Sequence, residues 1–349
     1  MAKQSRRDEG KLNYSAEIRE LKERGPGRLY FLWGPEDYLR EQYLLTLKKL
    51  CLPEGEDGFS YKRLNGPELD VRALQQAVDA IPFMSERSFV ELRGVDLNKL
   101  AEPDACLKVL GDIPDYCTVA FVQSAAFEPD GRLKLTKGLR SLAREIKFTP
   151  QTQGMLTDWI VRRFAAAGKS VELAAAQRLI FISGDLMSRL IPEIEKVAAY
   201  AREERVTVAD VEAVASHIPE ADIFEMTEMI AQRKTNSALS ILAELMADRE
   251  NEPIAVLAVL GGQMRRLYAA RLAIEQQLGG KYVMEVCALK YDFIANKLLN
   301  AARGFSLSQL RCSVELCCEM DYRMKSASGD PRELLKETVL RIAAGESHA

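Results

Sequence analysis

Short apolar runs alternate with segments of helical periodicity over residues 28–149. The segments between the runs carry apolar residues at every third or fourth position, as in Leu39, Tyr43 and Leu47. Five runs have the length of buried strands: Leu29–Trp33, Phe59–Leu64, Ser88–Leu92, Thr118–Gln123 and Glu145–Phe148. Because strands that alternate with helices form parallel sheets covered on both faces, residues 1–149 are predicted to fold as an α/β domain.

Beyond Thr149 the hydrophobic pattern predicts helices and no further strands. Four short helices are expected over residues 150–220, the last of them after Thr207, which has capping-box spacing with Asp210. Seven more are expected over residues 221–349, with breaks at Pro253, Gly279-Gly280, Gly304 and Gly329-Asp330-Pro331. The predicted domains are therefore an α/β domain over 1–149, a small helical domain over 150–220 and an all-α domain over 221–349.

The turn after the first predicted strand lies where a nucleotide-binding domain holds phosphate. A P-loop needs several glycines, followed by a lysine and a serine or threonine. Here Gly34 is the one glycine, no such pair follows, and Glu36 and Asp37 would repel a triphosphate. The first lysine downstream, Lys48, is about three helical turns away. We interpret Gly34, Glu36 and Asp37 as a degenerate nucleotide loop that binds no nucleotide and whose acids favour a helix N-terminus.

Composition narrows the classes of function. The 349 residues are 47% apolar and 28% charged with a net charge of -3, so any contact with nucleic acid would have to be local. No apolar run approaches the ~20 residues of a membrane span, and the charged N-terminus lacks the apolar core of a signal peptide. We therefore expect a cytoplasmic protein with no membrane partner.

The chain offers few ligands for a metal or for acid–base catalysis. It has only His217 and His348, and its seven cysteines include no C-x-x-C pair. Cys312, Cys317 and Cys318 fall in one predicted helix and are interpreted as packing residues. No catalytic residue, metal or cofactor is predicted.

An apolar segment ahead of the third predicted strand has two interpretations. Ile81-Pro82-Phe83-Met84 precedes the polar Ser85-Glu86-Arg87. On local pattern alone a buried helix end is favoured, since apolar residues usually lie inside. The proline and the polar flank instead indicate an exposed loop.

Two polar segments also have a surface interpretation. The basic run Arg132, Lys134, Lys137, Arg140 and Arg144 is predicted to be solvated surface, with a contact to DNA as the alternative, and its last three members are predicted to share a helical face. Gln263–Leu267 is interpreted as helix surface or a subunit interface.

Three segments, in this order, carry a family resemblance. Leu29–Leu39 is a strand followed by Gly-x-Glu-x-x-Leu, and Ile81–Arg87 is similar to Pro-Phe-Phe-Ser-x-Arg with Met84 in place of the second phenylalanine. Glu193–Lys196 and Val206–Val211 are similar to Glu-x-Glu-Lys followed by Ile-Thr-x-x-Asp-Val. These motifs, and their order and spacing over roughly residues 15–345, resemble the delta-subunit family of bacterial DNA polymerase III, in the clamp-loader branch of the AAA+ proteins.

The resemblance implies a fold and a role. The three predicted domains would be an AAA+-like α/β domain, a helical lid and a collar that assembles with the tau/gamma and delta-prime subunits. The chain would bind the β sliding clamp through Ile81, Pro82, Phe83 and Met84 and open the ring for loading onto primer–template DNA. It would not be an enzyme itself, because ATP hydrolysis and DNA polymerase activity reside in partner subunits. With this resemblance, the exposed-loop interpretation of residues 81–84 is favoured.

Two other classes of function remain as alternatives. An active AAA+ ATPase, such as a loader motor or a helicase-like enzyme, would need Gly-Lys-Ser/Thr and an acidic strand end for Mg²⁺, and neither is found in the sequence. A structural adaptor unrelated to replication would lack a clamp partner, so clamp binding distinguishes it.

Overall fold

The computed structural model describes residues 12–52, 60–66, 69–82, 85–97, 99–326 and 329–345 of the chain. These residues fall into two compact units. The first extends to Gln151 and includes Leu186–Ser188, and the second contains Thr152–Asp185 and the residues from Arg189 onward. The separation of a domain at 150–220 from one at 221–349 stays a prediction.

The first unit is an α/β fold built on a five-stranded parallel sheet. The strands lie in the order β2-β3-β4-β1-β5, and every neighbouring pair is parallel, which confirms the predicted fold class. Along the chain the elements alternate as predicted: α1 (Tyr14–Arg24), β1 (Leu29–Trp33), α2 (Asp37–Cys51), β2 (Tyr61–Asn65), α3 (Val71–Asp79), β3 (Ser88–Arg93), α4 (Pro103–Gly111), β4 (Cys117–Val122), α5 (Lys134–Leu142) and β5 (Arg144–Lys147).

Helices cover both faces of this sheet. The strand β1 is buried along its whole length, so its alternating side chains contribute to two cores. On one face, Phe31 belongs to a core that contains Leu74 of α3 and Leu139 of α5. On the other face, Tyr30 packs against Tyr43 of α2, with the ring centroids 6.2 Å apart. Because both faces of β1 are buried, its sequence is a continuous run of apolar residues instead of an alternation of apolar and polar residues.

The second unit is almost entirely helical. The capping box predicted at Thr207 is present, because the Asp210 carboxylate accepts the Thr207 backbone N–H at 2.8 Å. Met187 and Ser188, which open α8, group with the first unit. The elements are α6 (Gln153–Ala166), β6 (Ser170–Val171), α7 (Leu173–Ser183), α8 (Met187–Tyr200), β7 (Arg205–Val206), α9 (Val208–Val214), α10 (Pro219–Ala231), α11 (Thr235–Ala247), α12 (Pro253–Glu275), α13 (Gly280–Val286), α14 (Asp292–Ala302), α15 (Leu307–Lys325) and α16 (Pro331–Ala344).

Two sequence predictions for this unit are wrong. Strands do not stop at Thr149, because β6 and β7 form a short parallel ladder. Strands of two residues are too short to produce a periodic signal. The segment Gln263–Leu267 is not mainly surface, since Gln263, Met264 and Leu267 are buried. The helix α12 packs against α10, α14, α15 and α16, so more than one of its faces is covered.

Tyr43 provides a first test of the core of the α/β unit. Its hydroxyl is buried, has no hydrogen-bond partner among the described residues, and has its pKa raised by burial. Tyr43→Phe is therefore expected to raise the free energy of unfolding by about 1 kcal/mol, because an unsatisfied polar atom leaves the core. Urea denaturation of the full chain measures this change.

Tyr30 is the matched control for that substitution. Its hydroxyl accepts the Gly27 backbone N–H at 2.7 Å. Tyr30→Phe is therefore expected to lower the free energy of unfolding by about 1 kcal/mol. Shifts in the same direction for both variants would contradict the assignment of one satisfied and one unsatisfied hydroxyl.

Candidate functional site

The turn at residues 34–37 is shaped by close packing of its one glycine. Gly34 has φ +119, and a Cβ at this position would lie 2.4 Å from the carbonyl oxygen of Phe148. The same segments are joined by backbone hydrogen bonds, from Phe148 N–H to the Trp33 oxygen at 2.7 Å and from Glu36 N–H to the Phe148 oxygen at 3.1 Å. The lack of a side chain at Gly34 therefore allows two backbone segments of the fold to lie in contact.

The two acids of this turn have different surroundings. Glu36 precedes α2 and is fully buried, and its carboxylate accepts the backbone N–H of Met187 at 3.3 Å within the same unit. Asp37 is the first residue of α2 and is half-buried. A carboxylate at the start of a helix is stabilised by the helix dipole, as the sequence predicted. Glu36 places a buried carboxyl group inside the turn, where a phosphate would need N–H donors and positive charge.

Arg40 is a residue of this turn that the sequence interpretation missed. It lies on α2 and is buried, and its Nη1 donates to the Gly34 carbonyl oxygen at 2.7 Å. Burial lowers the pKa of its guanidinium. The available signal was its position in the helical register, since Arg40 shares the buried face of α2 with Leu44 and Leu47. This cation binds the carbonyl of the turn itself.

The loop between α3 and β3 contains the predicted clamp contact. Ile81 follows the end of α3 and is 77% exposed, while Pro82 is half-buried. Ile81 is therefore not part of a buried helix end. Phe83 and Met84 lie outside the described residues, so the assignment of residues 81–84 as a contact surface stays a prediction.

Hydrogen bonds join both ends of this loop to residues that directly precede strands of the sheet. On the far side, the Ser85 hydroxyl lies 2.7 Å from the Arg87 carbonyl oxygen and 2.7 Å from the Ser60 hydroxyl. On the near side, the Tyr116 hydroxyl donates to the Asp79 carbonyl oxygen at 3.3 Å. The residues on either side of the loop are thus held by hydrogen bonds.

A buried carboxylate on β3 connects this strand to α2, and sequence reasoning did not single it out. Glu91 is 1% exposed, lies 3.1 Å from the Lys48 Nζ and accepts the Tyr61 hydroxyl at 2.8 Å. It also binds Arg93, which in turn contacts Glu41 of α2 at 2.6 Å. Burial opposes ionisation of Glu91, but the hydrogen bonds from Arg93 and Tyr61 lower its pKa overall. The network links β3, the strand that follows the loop, to α2 and to Tyr61 of β2.

The basic run at residues 132–144 is largely neutralised by acids. The prediction that Arg144 continues a helical face with Lys137 and Arg140 is wrong, because α5 ends at Leu142 and Arg144 opens β5. Four of the five cations form ion pairs, which favours solvated surface over a DNA contact: Arg132 with Asp130, Lys134 with Asp104, Arg140 with Glu145, and Arg144 with Glu17 and Glu20.

The cysteines of α15 do not share one environment. Cys317 is buried, and burial raises the pKa of its thiol to about 12. Cys318 is exposed, so the packing interpretation is right for Cys317 and wrong for Cys318. Among the residues that the structure describes, no group of three or more His, Cys, Asp and Glu side chains could hold a metal ion. Among the described residues, no helix is both long enough and hydrophobic enough to cross a membrane.

Two curated bacterial proteins are similar to the chain over nearly its whole length. DNA polymerase III subunit delta of Bacillus subtilis is 27% identical over 326 residues, which cover 90% of this chain and 92% of that protein. The probable DNA polymerase III subunit delta of Aquifex aeolicus is 22% identical over 320 residues, 89% of each chain.

A solved structure and two family models agree with these relatives. The DNA clamp loader delta protein of Bacillus subtilis superposes with a TM-score of 0.53 at 24% identity, and covers 94% of this chain and 99% of its own, which shows a shared fold. The model of the DNA polymerase III delta subunit matches residues 30–149, and the model of its C-terminal domain matches residues 220–342. With both parts of the family matched in order along one sequence, the chain belongs to the DNA polymerase III delta subunit family.

Proposed function

We propose that this chain is the delta subunit of a bacterial clamp loader and binds the ring-shaped β sliding clamp through residues 81–84. The observation that carries the proposal is the exposure of Ile81 on a loop with fixed ends. An exposed apolar segment on a rigid base is typical of a protein-binding anchor. Phe83 and Met84 suit this role, since phenylalanine fills a pocket and methionine adapts to its edge.

Within this proposal the chain works without hydrolysing ATP. Support comes from the turn at residues 34–37, where Gly34 is packed against backbone, Glu36 places a carboxylate inside, and Arg40 is bonded to a main-chain carbonyl. The tau/gamma and delta-prime partners would supply ATP-dependent control. The assembled complex would act in the cytoplasm on primer–template DNA.

The test is a direct binding measurement between the full chain and the sliding clamp, by calorimetry with and without ATP. We expect saturable clamp binding that ATP does not change, and no saturable binding of ATP by the chain alone, because no group in the turn offers a phosphate site. Failure to bind the clamp would favour the adaptor alternative. Saturable ATP binding at physiological concentration would favour the ATPase alternative.

The collar role of residues 221–349 has its own expected result. Tyr322 of α15 is 73% exposed, and a large exposed aromatic residue is a favoured centre of a subunit interface. Tyr322→Asp is expected to prevent co-elution with tau/gamma and delta-prime in size-exclusion chromatography, while clamp binding is retained. Tyr200→Asp, at a tyrosine that is 53% exposed on α8, is the matched control and should assemble normally. Normal assembly of both variants would place the collar interface elsewhere.

A further inference from the structure

A cleft of about 690 Å³ lies within the helical unit. Helices α7, α9, α10, α11 and α14 contribute its walls. Its apolar surface includes Phe181, Val208, Ile241 and Phe293. A volume of this size falls in the range of small-molecule sites, which combine apolar walls with a few charged groups.

One cation in the cleft is positioned by aromatic rings and has no hydrogen-bond acceptor among the described residues. The Lys297 Nζ lies 4.3 Å from the ring centroid of Phe181 and 6.0 Å from that of Phe224. It forms no ion pair or hydrogen bond within the described part of the chain. The rings hold the ammonium group in place by cation–π attraction, but they cannot satisfy its three N–H donors. Burial accordingly lowers the pKa of Lys297.

The acids around Lys297 attract its charge, but none of the described ones forms an ion pair with it. Glu212 and Glu225 both bind Arg178, whose guanidinium carbon lies 5.2 Å from the Phe181 ring centroid. Glu228 is half-buried and makes no ion pair or hydrogen bond with any described residue. Burial raises the pKa of Glu228. Lys297 and Glu228 therefore line the same cleft and attract each other without forming an ion pair.

We propose that this cleft binds a small organic acid with an apolar body. Its carboxylate would pair with Lys297, and its body would pack against Val208, Ile241 and Phe293. Lys297 is half-buried, so part of the free-energy cost of removing its ammonium group from water is already present before a ligand binds. A ligand carboxylate would then add a charge-assisted hydrogen bond to that ammonium group. Glu228 would weaken binding of the carboxylate and would repel a second anionic group further, so the site favours a monoacid over a diacid. This proposal goes beyond clamp loading and does not depend on it.

The test compares 1-naphthoate with the neutral 1-naphthalenemethanol by calorimetry on the full chain. We expect saturable binding of naphthoate at one site and about tenfold weaker binding of the alcohol, because only the acid forms a charge-assisted hydrogen bond. Lys297→Met should reduce naphthoate affinity to that of the alcohol, while its affinity for the alcohol is unchanged. That second measurement shows that the cleft remains intact in the variant.

Two further variants make the test specific. Lys336→Met removes an exposed lysine from α16 and should leave naphthoate affinity unchanged. Glu228→Gln removes the repelling charge and should raise naphthoate affinity several-fold, whereas a general loss of structure would lower it. Equal affinity for the two compounds, no saturable binding, or unchanged naphthoate affinity in Lys297→Met would overturn the proposal.

Discussion

Replacing Phe83 and Met84 together with alanine is expected to remove most of the affinity for the sliding clamp while the chain stays folded. Burying each of these side chains is worth about 1.5–3 kcal/mol, so the pair supplies on the order of 3–6 kcal/mol. A loss of that size lowers affinity by a factor of about 100 or more. Calorimetry of the double variant with the clamp measures it, and clamp loading should be lost with it.

Leu142→Ala is the matched control for the double variant. Leu142 is 47% exposed at the end of α5, in the same unit, so this substitution removes a similar apolar side chain from a different surface. Clamp affinity should be unchanged in this variant, and the thermal unfolding midpoint of both variants should stay near that of the parent. If the double variant binds normally, the anchor lies elsewhere. If it unfolds, Phe83 and Met84 belong to the core.

Affinity alone would not open the clamp ring. A ligand that binds two states equally does not change their ratio, and a shift from mostly closed to mostly open needs a differential of about 5.5 kcal/mol. We therefore expect residues 81–84 to anchor the clamp and neighbouring surface of the α/β unit to fit only the opened ring. Loading assays with a clamp locked closed by a crosslink would then show binding without loading.

Gly34→Ala is expected to lower the free energy of unfolding by about 2–6 kcal/mol. Its φ of +119 is costly for any residue with a Cβ, by about 1–3 kcal/mol. The new Cβ would also lie 2.4 Å from the Phe148 oxygen and 2.8 Å from its nitrogen. Those are backbone atoms that cannot rotate away, so overpacking adds about 1–3 kcal/mol. Urea denaturation of the full chain measures the total.

Gly66→Ala separates the two contributions. Gly66 has nearly the same φ, +122, but no atom of the described residues lies within 4 Å of its Cβ position. Only the conformational cost applies there, and its loss of stability should be the smaller of the two. Equal losses for Gly34→Ala and Gly66→Ala would mean that the contact with Phe148 relaxes at no cost.

The order of elements was determined by the sequence. Parallel strands that are buried on both faces need continuous apolar runs, and such runs predict β1, β3 and β4. The predicted ranges, Leu29–Trp33, Ser88–Leu92 and Thr118–Gln123, lie within one residue of the observed bounds. The helices were visible because one apolar face recurs every three to four residues. The degenerate turn at Gly34 was visible because phosphate binding requires residue types that are absent.

Only the tertiary structure decided how charged and polar groups are used. The helical register places Arg40 on the buried face of α2, but its acceptor, the Gly34 carbonyl oxygen, depends on how the turn packs and is known only from the tertiary structure. The sequence pattern places Arg144 on a helical face, but in the structure Arg144 pairs with Tyr30 of β1. That partner is more than a hundred residues away along the chain, so a local pattern does not reveal it. Lys297 and Glu228 lie on different helices, so their separate positions in one cleft follow from helix packing. Periodicity reports burial along one element, whereas contacts between distant elements depend on the whole fold.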